Sequence, residues 1–211
     1  MTQAVLFDLD GVLADTERLH WAAYRSVLGE YGVDVDLEVY RHRFIVDGGG
    51  PEWACRTYGL PVTPAELRAR KAPRYLTLLR AQIEPRPGAR AAVARFHATH
   101  RTAVATNAQR AEVDFIVDRL AFGPLLDATV ARQDYVRAKP APDAYLAAAR
   151  AVGVPPAACV VIEDTPRGVR AALAAGMRVI AAPNELTFDA DFTGCFHRLG
   201  SLDELTAELL G

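Results

Sequence analysis

The sequence predicts an α/β chain: a doubly wound, mainly parallel core sheet with an inserted all-helical domain. Three observations carry that expectation. Five short apolar runs lack polar alternation, as strands covered on both faces do. Helical patterns separate later runs, an alternation that implies right-handed crossovers. The first and second runs lie roughly ninety residues apart, far beyond an ordinary crossover.

The runs are QAVLFD at 3–8, TAVAT at 102–106, DATVA at 127–131, CVVIE at 159–163 and RVIAA at 178–182. Residues 88–99 follow Pro87-Gly88 and carry Ala91, Ala92, Ala94 and Phe96. Residues 109–120 set Val113, Ile116, Val117 and Leu120 at helical spacing. Residues 142–152 start with Pro142 and stop before Gly153; residues 166–175 start with Pro166 and stop before Gly176. Proline at the first turn and glycine past the last is how helices begin and end.

The long first connection reads as helical. Residues 16–31 place Leu19, Ala23, Val27 and Leu28 on one face, and residues 63–83 open on Thr63-Pro64 and carry Leu67, Tyr75, Leu76, Leu78 and Leu79. Between them lie RHRF at 41–44 and the break DGGGP at 47–51, and EPRPG at 84–88 reads as the return linker. The expected domains are therefore a core at 1–14 and 86–211 and a cap at 15–85, with hinges near 14–16 and 84–88 that let the cap close and exclude water.

Composition narrows the function. The chain has 211 residues, 51% hydrophobic, enough for a real core, and a net charge of −2. That balance gives no reason to expect nucleic acid or an anionic membrane as partner. Cys55, Cys159 and Cys195 are far apart and odd in number, so no disulfide framework is expected. With no basic leader and no apolar run long enough to span a bilayer, a reducing, cytoplasmic setting is expected.

The chemistry gathers where the strands end. Asp8 and Asp10 follow the first run, Thr106 and Asn107 the second, Lys139 the third, and Glu163 and Asp164 close the fourth. In an open parallel sheet, ligands bind beyond the carboxyl ends of the strands. Each residue alone reads as a turn, a cap or a surface group. Together they offer carboxylates, one lysine and one hydroxyl, a set suited to phosphoryl transfer. Clustered carboxylates repel. A hard dication resolves this, and Mg²⁺ takes oxygen ligands together with substrate phosphate. Lys139 and the Thr106 hydroxyl would hold phosphoryl oxygens.

The stretches DLDGVLADTE at 8–17, ATNAQ at 105–109, AKPAPD at 138–143 and IEDTPRGVRAALAAGM at 162–177 resemble the four motifs of the haloacid dehalogenase superfamily. They are most similar to its β-phosphoglucomutase-like branch, whose Rossmann-like core carries a helical cap inserted after the first motif. The resemblance implies Asp8 as the nucleophile that forms an aspartyl-phosphate. It implies Asp10 as the acid that protonates the leaving oxygen and the base that activates water, with a pKa raised by burial and neighbouring charge. It implies Mg²⁺ held by Asp8, the Asp10 carbonyl and Asp164, with Glu163 a direct or water-mediated ligand. Thr106, the Asn107 backbone and Lys139 would bind the phosphoryl group, and His20 matches a position near the active site.

Dehalogenases and phosphonatases of the superfamily generally lack an acid at the position of Asp10, which disfavours both chemistries here. The mutase carries an arginine just after its cap glycine loop; here DGGGPEW at 47–53 has no basic residue. The leading expectation is a Mg²⁺-dependent phosphatase acting on a small phosphorylated metabolite, a sugar phosphate, as a monomer or weak homodimer. A phosphosugar mutase is the alternative within the family. A phospho-accepting signalling domain is the alternative of another class. In the cap, Arg41, His42 and Arg43 are either a solvated face or readers of a second anionic group, and Trp53 either stacks on a sugar or packs the helical bundle.

Overall fold

The computed structural model describes residues 1–210 and divides into two compact units, Met1–Asp15 with Glu84 onwards, and Thr16–Ile83. The first unit is built on a parallel sheet of β1 (Ala4–Phe7), β2 (Arg101–Ala105), β3 (Ala128–Val130), β4 (Cys159–Glu163), β5 (Arg178–Ala181) and β6 (His197–Arg198). Strand order is β3-β2-β1-β4-β5-β6. Every pair is parallel, and β1 to β5 begin and end within a residue of the five apolar runs. The sixth strand is an addition to the five expected from sequence. It has two residues and no apolar run, and backbone pairing to Ile180 and Ala181 makes it a strand.

The register brings the strand ends level. Phe7 pairs with both Val104 and Ile162, Ala105 with Val130, and Glu163 with Ala181. The ladders run one step further through Asp8 N–H to the Ile162 carbonyl and Thr106 N–H to the Val130 carbonyl, both 3.0 Å. Asp8, Thr106 and Glu163 therefore lie at one edge because of backbone pairing alone.

The helices of this unit are α5 (Ala89–His97), α6 (Arg110–Arg119), α7 (Asp143–Ala151) and α8 (Pro166–Ala174), numbered after the four α-helices of the second unit that precede them in the chain. α7 is alanine-rich, and Ala144, Tyr145 and Ala148 pack in one buried cluster with Leu6, Ala103, Ala105 and Val161. Small side chains let helix and sheet approach closely, so Tyr145 is held rigidly among them. α8 opens on Thr165, whose hydroxyl accepts from Gly168 N–H at 3.1 Å, with Pro166 at its first position.

The unit closes on itself across its interruption. Asp15 N–H donates to the Glu84 carbonyl and Arg86 N–H to the Leu13 carbonyl, both at 2.9 Å. The points where the chain leaves and rejoins this unit are thus stitched side by side.

The second unit consists of α1 (Glu17–Gly29), α2 (Leu37–Tyr40), α3 (Gly50–Tyr58) and α4 (Pro64–Gln82), with a π-helical turn at Arg41–Val46. α4 begins at a reciprocal cap. Thr63 accepts from Glu66 N–H, and Glu66 accepts from Thr63 N–H. Arg41 is buried and its guanidinium donates to Glu38 at 3.0 and 3.2 Å. His42 and Arg43 are exposed, and Arg43 pairs with Asp47 at 2.8 Å. Trp53 packs edge-on against Phe44 and Tyr58 at 6.1 and 5.4 Å between centroids. Among the described residues, no helix is long and apolar enough to cross a membrane.

Candidate active site

Four polar side chains converge beyond the ends of β1, β3 and β4. Asp8, Glu163 and Asp164 are buried and can each present an oxygen within 4.8 Å of the others. Lys139, itself 5% exposed, donates to Asp8 Oδ1 and Glu163 Oε1, both at 2.8 Å. Its third N–H reaches the Tyr145 hydroxyl at 2.8 Å, and that hydroxyl donates to Glu163 Oε1 at 2.9 Å.

Three carboxylates against one ammonium leave an excess of negative charge in a buried place. Burial raises the Asp8 carboxyl, Lys139 opposes the rise, and Glu163 and Asp10 reinforce it. The result is a pKa lifted from 3.8 to about 7. Burial alone would raise Glu163 as well. There the Lys139 ammonium and the hydrogen bonds from Lys139, Thr165 and Tyr145 win, and the carboxyl is held below its usual range. Burial would lower Lys139, but Asp8 and Glu163 raise it instead. The carboxyl that burial leaves ready to take a proton or a cation is therefore Asp8.

Glu163 is saturated by protein. Besides Lys139 and Tyr145 on Oε1, its Oε2 accepts from Asp164 N–H, Thr165 N–H and the Thr165 hydroxyl at 2.9 to 3.0 Å. Asp164 is oriented by Asn184, whose amide donates to Oδ2 at 2.7 Å. A Cβ on Gly11, which has φ +76°, would lie 2.0 Å from Asp164 Oδ2, so only glycine lets these chains meet there.

Gly168 makes the same point more sharply, since a Cβ there would lie 1.6 Å from Glu163 Oε1. Gly168→Ala is expected to destabilise by about 3 kcal/mol, which lowers the melting temperature by roughly 10 °C in a chain of this size. Gly29→Ala, on α1 with open space around it, is expected to be neutral or slightly stabilising. Equal melting temperatures for the two variants would refute this steric reading.

Asp10, Thr106 and Asn107 flank the cluster within the same unit. Asp10 is half-buried, and its Oδ2 lies 3.5 Å from the Thr106 hydroxyl, which accepts from Ala108 N–H at 3.1 Å. Asn107 Oδ1 accepts from Lys139 N–H at 3.1 Å, and the Tyr135 hydroxyl spans Asn107 Oδ1 and the Thr106 carbonyl at 2.7 and 2.8 Å. These bonds tie the loop after β2 to the loop carrying Lys139. His20 belongs to the helical unit. Its ring stacks on Tyr75 at 3.9 Å between centroids, and its Nδ1 accepts from the buried Lys71 ammonium. A lysine only donates, so the proton of a neutral His20 sits on Nε2.

Three contributors escaped the sequence reading. Asn184 stands three residues past β5, where the strand-end rule applied to the fifth strand would have found it. Tyr145 and Tyr135 carry no local signal, since their roles arise from tertiary hydrogen bonds.

The donor set is all oxygen, carboxylate-rich and short of positive charge, which fits a hard divalent cation. Comparison with known proteins identifies the family. A family model described as haloacid dehalogenase-like hydrolase matches residues 2–176. Protein CbbY of Rhodobacter capsulatus is 32% identical over 99% of this chain and 97% of its own. Fructose-1-phosphate phosphatase YqaB of Escherichia coli is 34% identical over 83% of this chain and 94% of its own. The crystal structure of CbbY from Rhodobacter sphaeroides in complex with phosphate superposes with a TM-score of 0.82 at 33% identity, covering 97% of this chain and 96% of that one. A mutant of that protein has been crystallised with xylulose-(1,5)bisphosphate. With the four motifs gathered at one sheet edge and likeness along nearly its whole length, the chain belongs to the haloacid dehalogenase-like hydrolases, in their β-phosphoglucomutase-like branch, and is a phosphatase.

Proposed function

We propose that this protein is a Mg²⁺-dependent phosphatase that hydrolyses a small sugar phosphate through an aspartyl-phosphate on Asp8. The observation that carries the reading is the buried Asp8–Lys139–Glu163–Asp164 cluster with Asp10 at its rim. An Asp8 oxygen attacks phosphorus while the bond to the sugar oxygen breaks, and Asp10 delivers a proton to that oxygen. Asp10 then takes a proton from the water that attacks the aspartyl-phosphate, releasing phosphate and restoring Asp8. Lys139 and Thr106 hold phosphoryl oxygens as charge shifts among them. Asp8, Asp164 and the Asp10 carbonyl would hold the cation, which would neutralise phosphate charge. Glu163, saturated by protein donors, serves by fixing Lys139. Sugar phosphate as substrate class is supported by the relatives named for fructose 1-phosphate and crystallised with xylulose-(1,5)bisphosphate. Substrate selection is assigned to the helical unit.

The cation and the proton compete for Asp8. Its folded pKa, about 7, stands above the usual 3.8. The stability it contributes as a protonated group is full below about 4 and lost as pH rises through about 7. The metal-free protein is therefore expected to melt lower at pH 8 than at pH 5.5, and Mg²⁺ to raise the melting temperature more at pH 8. An equal Mg²⁺ effect at both pH values would contradict Asp8 as a ligand.

The deciding experiment is a phosphate-release screen over sugar, glycolytic and nucleotide monophosphates, with chelator and with Mg²⁺. Conversion of β-glucose 1-phosphate to the 6-phosphate is followed alongside. Mg²⁺-dependent release from a sugar phosphate is the expected result. Isomerisation without release would establish the mutase reading instead. A long-lived phospho-Asp8 with little turnover would establish the signalling one, and metal-independent turnover would refute the site.

A further inference from the structure

The Lys139 ammonium has three N–H bonds and three acceptors, all at 2.8 Å: Asp8 Oδ1, Glu163 Oε1 and the Tyr145 hydroxyl. It is saturated before any substrate arrives. A phosphoryl oxygen that Lys139 is to hold must therefore take the place of one of the three. Two are carboxylates, whose charge-assisted bonds are the stronger ones, and the third is neutral. The neutral acceptor is the one that costs least to give up.

Tyr145 is built for that exchange. Its hydroxyl also donates to Glu163 Oε1 at 2.9 Å, so it keeps a buried partner when the ammonium turns away. Its ring is fully buried in the alanine-rich cluster between α7 and the sheet, so packing fixes where the oxygen sits. The ammonium lies 4.4 Å from the ring centroid, close enough for the ring face to hold the cation while its third N–H changes partner.

We propose that Tyr145 is a positioning residue whose hydroxyl is the exchangeable third acceptor of Lys139. It keeps the ammonium aimed at Asp8 in the unloaded site and yields its place to a phosphoryl oxygen. This rests on the phosphoryl-transfer reading of the site and adds a sign that a packing role lacks. Removing the hydroxyl loses the bond to Glu163 from both states but the bond to Lys139 from the unloaded state alone, so phosphate should bind more tightly, not less.

The test is Tyr145→Phe, which keeps the ring. Hydrogen exchange of the Lys139 ammonium is read by NMR on protein labelled with ¹⁵N at the lysine side chains. Inorganic phosphate binding in the presence of Mg²⁺ is read by calorimetry. In the phosphate-free variant, exchange should be about tenfold faster than in wild type, as loss of one buried bond to a charged group implies. Adding phosphate to the Mg²⁺-bound variant should bring exchange back to the wild-type rate. The phosphate dissociation constant should fall about tenfold for the same reason. Unchanged exchange overturns the proposal, and so does unchanged or weaker phosphate binding. Should the variant fold poorly, wild type alone serves. The Tyr145 Cζ resonance should shift when phosphate joins Mg²⁺, and a resonance that stays put overturns the proposal equally. Failure of the phosphatase reading is separately visible as no hydrolysis of any ester by wild type, and the binding and exchange measurements stand apart from it.

Discussion

Asp8→Asn is expected to abolish phosphate release, lowering turnover on the order of 10⁴- to 10⁶-fold, the scale at which loss of an enzyme's nucleophile registers. Asparagine matches aspartate in shape, and its amide oxygen can still accept the 2.8 Å bond from Lys139. The β1 backbone that places it is unaffected, because Asp8 N–H continues the ladder to Ile162. What disappears is a charged oxygen able to bond to phosphorus. The variant also removes one charge from the crowded cluster, so the metal-free protein should melt no lower than wild type. Acid quenching during turnover of a ³²P-labelled substrate checks the assignment directly. Wild type should retain label on the protein and the variant none. Turnover within tenfold of wild type would eliminate Asp8 as nucleophile.

Asp10→Asn is expected to cost about 10²- to 10⁴-fold on a sugar phosphate, the usual worth of general acid–base help. The loss should depend on the leaving group. A sugar alkoxide needs a proton as it departs, whereas nitrophenolate does not. With p-nitrophenyl phosphate, the first step should survive and the second stall, because the attacking water still lacks its base. Stopped-flow traces should then show a burst of nitrophenolate close to one equivalent per enzyme, followed by slow turnover. Equal losses on both substrates without a burst would remove Asp10 from the acid–base role. The position of Asp10 suits two tasks, since it is half-buried and 3.5 Å from the Thr106 hydroxyl, within reach of both site and water.

Much of this arrangement was legible in the sequence, and the reason is physical. Buried parallel strands must be continuous apolar runs, so their ends can be read off to within a residue, and the sheet then brings those ends level. That logic gathers Asp8, Thr106, Glu163 and Asp164 without coordinates, and the motif AKPAPD at 138–143 adds Lys139 from the loop after β3. β6 was illegible because its two polar residues gain their strand geometry only from a neighbour. Tyr145 was hidden because an alanine-rich helix face signals packing, while its bond to Glu163 spans 18 residues. Lys71 was not singled out in the sequence, yet it is buried against Tyr75, with its ammonium 3.8 Å from the ring centroid. A long amphipathic side chain can bury its stem in this way without any trace in the periodicity.

The stitch between the two ends of the core's interruption has an architectural consequence. Asp15 and Glu84, with Leu13 and Arg86, hold the two joints together using backbone atoms that belong to the core itself. The sheet therefore does not need residues 16–83 to bring those ends together. The segment between them behaves as a cassette. Its length and side chains can drift, or be grafted from a relative, while the reacting groups stay on their own framework. With substrate selection in the helical unit, as proposed, a chain organised this way can acquire a new specificity without rebuilding its chemistry.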